Sequence, residues 1–197
     1  SDYYVAENYI VSRLSAMKAF FLDSGIEFDN AIDLIEEENG IKYEELQRKA
    51  ISLALSKGFL ILTGGPGTGK TTTLNAIISL YEQQGLKAVI AAPTGRAAKR
   101  ISDLTGYNAK TIHRLLEVAY DDGSGIMKFV HNNQNTLDCD VLIVDEMSMV
   151  DTLLFAELLR GIKLSCKLIL VGDSDQLPSV GAGNLLKDLI DSKTMTV

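Results

Sequence analysis

The sequence predicts an α/β fold, a parallel sheet with helices on both faces, preceded by a short helical N-terminal segment. Three observations carry this. Four short apolar runs, Phe59–Thr63, Ala88–Ala92, Val141–Val144 and Leu168-Ile169-Leu170-Val171, are separated by helix-length segments, the spacing of βαβ units. The runs are continuously apolar, not alternating, as strands buried on both faces require. Residues 1–46 carry helical periodicity instead. At 197 residues the chain has the length of one sizeable domain.

Taken in order, Ile10, Leu14, Met17 and Phe21 form one apolar stripe at helical spacing, and Asp23-Ser24-Gly25 supplies a stop. Ala31, Ile32 and Ile35 predict a second short helix that ends in an acidic run and Asn39-Gly40. A third starts near Tyr43 and directs Leu46, Ala50 and Leu53 at a core. We divide the chain into a helical lead-in over 1–42 and an α/β domain over 43–197. Asp121-Asp122-Gly123-Ser124-Gly125 is turn chemistry, so Val118–Tyr120 and 126–130 predict a small exposed hairpin.

Composition narrows the class. The hydrophobic fraction is 46% and the charged fraction 23%, values of an ordinary globular protein. Cys139 and Cys166 form no framework and no Cys/His cluster, so both read as packing residues in a reducing cytoplasm. No apolar stretch approaches a membrane span of about 20 residues, and the N-terminus has no signal-peptide pattern. The net charge of −7 argues against bulk coating of nucleic acid, but it is unevenly spread. Residues 1–46 hold 11 acids and 3 bases; residues 47–197 hold 15 acids and 16 bases. Within 93–116, Arg96, Lys99, Arg100, Lys110 and Arg114 are opposed only by Asp103, a basic stretch suited to a phosphate backbone.

Gly64-Gly65-Pro66-Gly67-Thr68-Gly69-Lys70-Thr71 fits G-x-x-x-x-G-K-[ST], between an apolar strand and a helix opening at Thr72. Glycines let successive backbone N–H groups wrap a polyphosphate, and the following helix N-terminus adds its positive dipole end. Gly65, Pro66, Gly67, Thr68, Gly69, Lys70, Thr71 and Thr72 are therefore the expected nucleotide-phosphate-binding residues. Lys70 neutralises the β- and γ-phosphates, and Thr71 offers its hydroxyl to Mg²⁺. The strand over 141–144 ends in Asp145-Glu146, which supplies a metal-holding Asp145 and a Glu146 that polarises the attacking water. The strand over 168–171 ends in Gly172-Asp173-Ser174-Asp175-Gln176-Leu177-Pro178 at the same sheet edge. There Gln176, both donor and acceptor, can sense a γ-phosphate.

Five blocks recur in a fixed order: Gly64 to Thr72, Ala92 to Arg100, Thr111 to Leu116, Val144 to Asp151, and Gly172 to Leu186. Together they resemble the RecD-like helicases, the exodeoxyribonuclease V alpha-subunit family of superfamily 1, over roughly residues 43–197. The resemblance implies a RecA-like P-loop domain and ATP-driven 5′ to 3′ translocation on single-stranded DNA in recombination and repair. It assigns Gln47 to the adenine edge, and Pro93, Thr94, Arg96, Thr111 and His113 to the DNA strand. It also implies a second RecA-like domain that brings arginines to the γ-phosphate, and possible partner subunits of a helicase–nuclease complex. An arginine supplied in this way is worth about 10³–10⁵ in rate. This stretch alone is therefore expected to bind nucleotide, hydrolyse it poorly and unwind nothing. The alternative is a P-loop kinase or other P-loop NTPase acting on a small molecule. Against a kinase lid, only Arg160 among six arginines lies beyond residue 114; against a GTPase, no Asn-Lys-x-Asp segment is present.

Overall fold

In the computed structural model, which describes residues 1–21, 27–65, 69–173 and 194–197, the four apolar runs are adjacent strands of one sheet. The helices are α1 (Asp2–Phe20), α2 (Asp29–Asn39), α3 (Glu45–Ser56), α4 (Lys70–Gln83), α5 (Gly95–Thr105), α6 (Ile112–Leu116) and α7 (Thr152–Arg160). The strands are β1 (Phe59–Thr63), β2 (Ala88–Ala92), β3 (Ala109–Thr111), β4 (Val118–Tyr120), β5 (Met127–Phe129), β6 (Val141–Val144), β7 (Lys167–Gly172) and β8 (Thr194–Thr196). Six strands pair in parallel in the order β3-β2-β6-β7-β1-β8, while β4 and β5 form the expected hairpin.

Strand geometry sends alternate side chains to opposite faces. Phe59 and Ile61, with Leu142, Val144, Leu168 and Leu170, pack under α1, α6 and α7. Leu60 and Leu62, with Ile143, Ile169 and Val171, pack under α2, α3 and α4. Both faces are dry, which is why these strands read as unbroken apolar runs.

The helix boundaries have local causes. Ser1 caps α1 by accepting from Tyr4 N at 3.4 Å, and the stripe Ala6, Ile10, Leu14 and Met17 is buried against the sheet. Arg13 Nη2 donates to Ile162 O at 2.6 Å, tying α1 to the turn after α7. The stop at 23–25 lies outside the described residues. Gly40, in the left-handed region at φ 63, ends α2 where the sequence placed a stop.

Two expectations are corrected. In α3 the buried side chains are Gln47, Ala50, Ile51, Ala54 and Leu55, whereas Leu46 is 54% exposed and Leu53 only half-buried. The helix turns its small residues toward α4, which allows close approach, and leaves Leu46 to solvent. The edge strand β3 was not anticipated; it is three residues long, and Ala109-Lys110-Thr111 has no apolar run to announce it.

Candidate functional site

Parallel pairing brings the C-terminal ends of β1, β6 and β7 to one edge, and α4 begins directly above them. Gly69, the residue before α4, has φ +85, and an added Cβ would sit 2.3 Å from Gln47 Nε2. Glycine is thus required there twice, for conformation and for space. The Gly69 carbonyl accepts from Thr73 N at 2.9 Å, Thr73 Oγ1 at 2.9 Å and Gln47 Nε2 at 3.2 Å, which fixes the final peptide of the phosphate loop.

Gln47 is held in turn by a capping box at the start of α3, its Oε1 accepting from Glu44 N at 2.8 Å. It is 8% exposed and serves the protein with one donor and one acceptor of its amide.

Lys70, Thr71 and Thr72 open α4 into a cavity of about 430 Å³, also lined by Gly65, Gly69, Arg100, Asp145, Glu146 and Asp173. Lys70 Nζ donates to Gly64 O at 3.3 Å and to Asp173 Oδ1 at 2.8 Å. Two cations, Lys70 and Arg100, face three carboxylates there, so the lining carries more negative than positive charge. That balance suits a metal-bound polyphosphate and not a bare one.

Burial pushes the Asp145 carboxyl above its usual range; the Glu146 backbone N–H opposes this, the Glu146 charge adds to it, and Lys70 and Arg100 oppose it weakly. Its backbone N–H donates to Ala91 O at 2.9 Å, locking the end of β6 to β2. Glu146 follows in the left-handed region at φ 51, a strained conformation for a side-chain-bearing residue. A desolvated carboxylate and the Thr71 hydroxyl, lining one cavity, are a hard-oxygen donor set that fits Mg²⁺. No group of three or more His, Cys, Asp or Glu among the described residues forms a metal cage. Mg²⁺ bound to nucleotide needs none, because phosphate and water complete its shell.

A second cavity of about 430 Å³ shares Thr72 with the first and is lined by Ile41, Tyr43, Asn75, Ala76 and Tyr107. Asn75 Oδ1 is buried without a hydrogen-bond partner.

The predicted DNA-side residues gather at the neighbouring edge. Register pairs Ala92 with Thr111, so the segments that follow β2 and β3 lie side by side. Thr94 Oγ1 caps α5 by accepting from Ala97 N at 3.1 Å, and Thr111 Oγ1 caps α6 by accepting from Arg114 N at 3.1 Å. Pro93 is half-buried between them, while Arg96 and His113 are exposed. The His113 ring lies 5.9 Å from that of Phe129 on the hairpin. His131 instead meets Glu117 at 3.3 Å at the hairpin base.

Lys70, Thr71, Thr72, Gly65, Gly69, Asp145 and Glu146 therefore line one cavity, and Gln47 reaches Gly69 of the loop. Pro66, Gly67, Thr68 and Gln176 lie outside the described residues. Sequence reasoning missed Asp173 and Arg100 as cavity residues. Asp173 stands at the end of an apolar strand, a usable signal, whereas Arg100 was indistinguishable from the other bases of its helix.

The family described as an AAA domain matches residues 47–182. The RecBCD enzyme subunit RecD of Mycolicibacterium smegmatis is 42% identical over 175 residues, covering 77% of this chain and 31% of that protein. The ATP-dependent RecD2 DNA helicase of Deinococcus radiodurans is 43% identical over 139 residues, covering 71% of this chain and 19% of its own. The chain thus spans under a third of the length of these curated relatives. Among solved structures, the Pif1 helicase from Candida albicans superposes with a TM-score of 0.53 at 28% identity, covering 79% of this chain and 40% of that one. The UvsW helicase from bacteriophage T4 shares the fold, with a TM-score of 0.55 at 11% identity over 86% of this chain and 78% of its own.

Proposed function

The chain belongs to the AAA domain family and is a homologue of the RecD helicases, and on that premise we propose that it is the first motor domain of an ATP-dependent DNA helicase acting in recombination and repair. The observation that carries this reading is the single cavity in which Lys70, Thr71, Asp145 and Glu146 meet, joined through β2 and α5 to a basic edge.

Lys70 leaves Asp173 to neutralise the β- and γ-phosphates, and Gly65 to Thr72 cradle them. Thr71 and Asp145 hold Mg²⁺, which when bound draws charge from the phosphate oxygens. Glu146 orients the attacking water and accepts its proton. Gln176 reports the γ-phosphate. The nucleoside extends past Thr72 toward Tyr43 and Asn75, with Gln47 behind the loop and near the base. Single-stranded DNA runs over Pro93, Thr94, Arg96, Thr111 and His113, where positive charge is concentrated.

A second RecA-like domain of the full-length protein supplies the arginines that complete the site, and other subunits of a helicase–nuclease complex are possible partners. The relatives named as RecD subunits support that assembly. No helix among the described residues is long and apolar enough to cross a membrane, and we place the protein in the cytoplasm. Without its partner domain this stretch binds nucleotide and hydrolyses it slowly. Tailed duplexes test the whole reading: the full-length protein should unwind a 5′-tailed duplex with ATP and Mg²⁺ and leave a 3′-tailed one intact. Unwinding of neither, with phosphate transferred to a small metabolite instead, would replace the motor with a kinase.

A further inference from the structure

We propose that Arg100 couples the DNA-binding edge to the hydrolytic centre by holding Glu146 until a strand is bound; the inference rests on the motor reading above. Arg100 Nη1 lies 3.8 Å from Glu146 Oε1, and both line the nucleotide cavity. Arg100 sits one helical turn beyond Arg96 on α5, whose first turn is fixed by the Thr94 cap. One rigid helix thus carries a strand-side residue at its start and a cavity-side guanidinium at its middle.

A second link runs through the backbone. Asp145 N donates to Ala91 O at 2.9 Å, three residues before Thr94, so the peptide ahead of Glu146 is tied to the strand that feeds α5. This hydrogen bond belongs to the ladder and stays fixed. The Arg100–Glu146 contact is the adjustable one.

Its geometry suits a switch. The Arg100 side chain is 70% exposed and that of Glu146 27% exposed, and 3.8 Å is too long for a hydrogen bond. Exposed pairs of this kind are weak, so a small shift of α5 breaks the contact. Glu146 stands at φ 51, a conformation its surroundings must maintain, so its carboxylate responds when a neighbour moves. While the contact is made, Oε1 is turned toward α5. When phosphates bind across Arg96 and Thr94, α5 shifts, the guanidinium withdraws, and the carboxylate turns to the water. Lys99, the neighbouring cation on α5, is occupied by Asp103 at 3.2 Å and does not substitute.

Coupling between two binding sites is reciprocal, so it is read from strand affinity with and without nucleotide. The experiment measures the affinity of the full-length protein for labelled oligodeoxythymidine by anisotropy, with and without a non-hydrolysable ATP analogue and Mg²⁺. In the wild type the analogue should shift strand affinity by at least about fivefold. In Arg100→Gln the shift should fall below about twofold, with affinity for the analogue retained. DNA-free hydrolysis in the variant should rise by up to about fivefold, the scale of an exposed pair. Arg100→Lys, which keeps the charge, should retain part of the coupling. A wild-type shift that survives in Arg100→Gln overturns this inference alone. So does loss of analogue binding, which would make Arg100 a phosphate ligand. A wild type whose strand affinity ignores the analogue overturns the motor reading, and this inference with it.

Discussion

Lys70 Nζ lies 2.8 Å from Asp173 Oδ1, so the lysine that should meet phosphate is paired with a carboxylate 103 residues away. β7 lies beside β1 in register, with Gly172 opposite Thr63, and this places Asp173 over the phosphate loop. Polyphosphate must displace Asp173 to reach Lys70. Asp173→Asn should therefore tighten ATP binding, by up to about fivefold because the pair is partly exposed. Calorimetric titration of wild type and variant checks this; weaker binding in the variant would make Asp173 a ligand of the substrate complex instead of its competitor.

Gly69→Ala should weaken ATP binding by roughly tenfold, since the left-handed backbone alone costs a side chain about 1–2 kcal/mol. The new methyl would also meet Gln47 Nε2. Gly69→Ala combined with Gln47→Ala removes that contact but also the amide placed near the base, so the double variant should bind ATP no more tightly than Gly69→Ala in the same titration.

Glu36 is 6% exposed and accepts from Tyr43 N at 2.7 Å and from Arg48 Nη1 at 2.7 Å. It joins α2 to the start of α3, and so to the segment that places Gln47. Glu36→Ala leaves the buried Tyr43 N–H without its acceptor, while Arg48 keeps Asp33 at 2.9 Å, and should cost about 1–3 kcal/mol in urea unfolding. Glu36→Gln, which can still accept from Tyr43, should cost less.

Thr94→Ala removes the cap of α5 and should lower stability by about 1 kcal/mol. It should also weaken single-stranded DNA binding, because Arg96 depends on that helix for its position. Anisotropy alongside thermal unfolding separates the two effects.

The phosphate loop, the Asp145-Glu146 pair and the four central strands were legible because each is a continuous stretch with its own local physics. Glycine spacing and unbroken apolar runs announce themselves without neighbours. The contacts that set the site's chemistry join distant residues: Gln47 with Gly69, Lys70 with Asp173, Arg100 with Glu146. No local pattern encodes such pairs; strand order does, and strand order is a property of the folded sheet. α3 was misread on the same account. Ala50 is buried as read and Leu53 packs partly buried against the core, but Ala54 was taken into the core and Leu46 turned outward. The stripe of α1 was legible, while its bond through Arg13 to Ile162 was not.

Steady-state ATP hydrolysis by the full-length protein, with and without single-stranded DNA, tests the central claim most directly. The account predicts a low rate that rises severalfold with DNA and is abolished in both Lys70→Ala and Glu146→Gln, while Glu146→Gln still binds ATP. A rate that ignores DNA, or one that persists in Lys70→Ala, would contradict it.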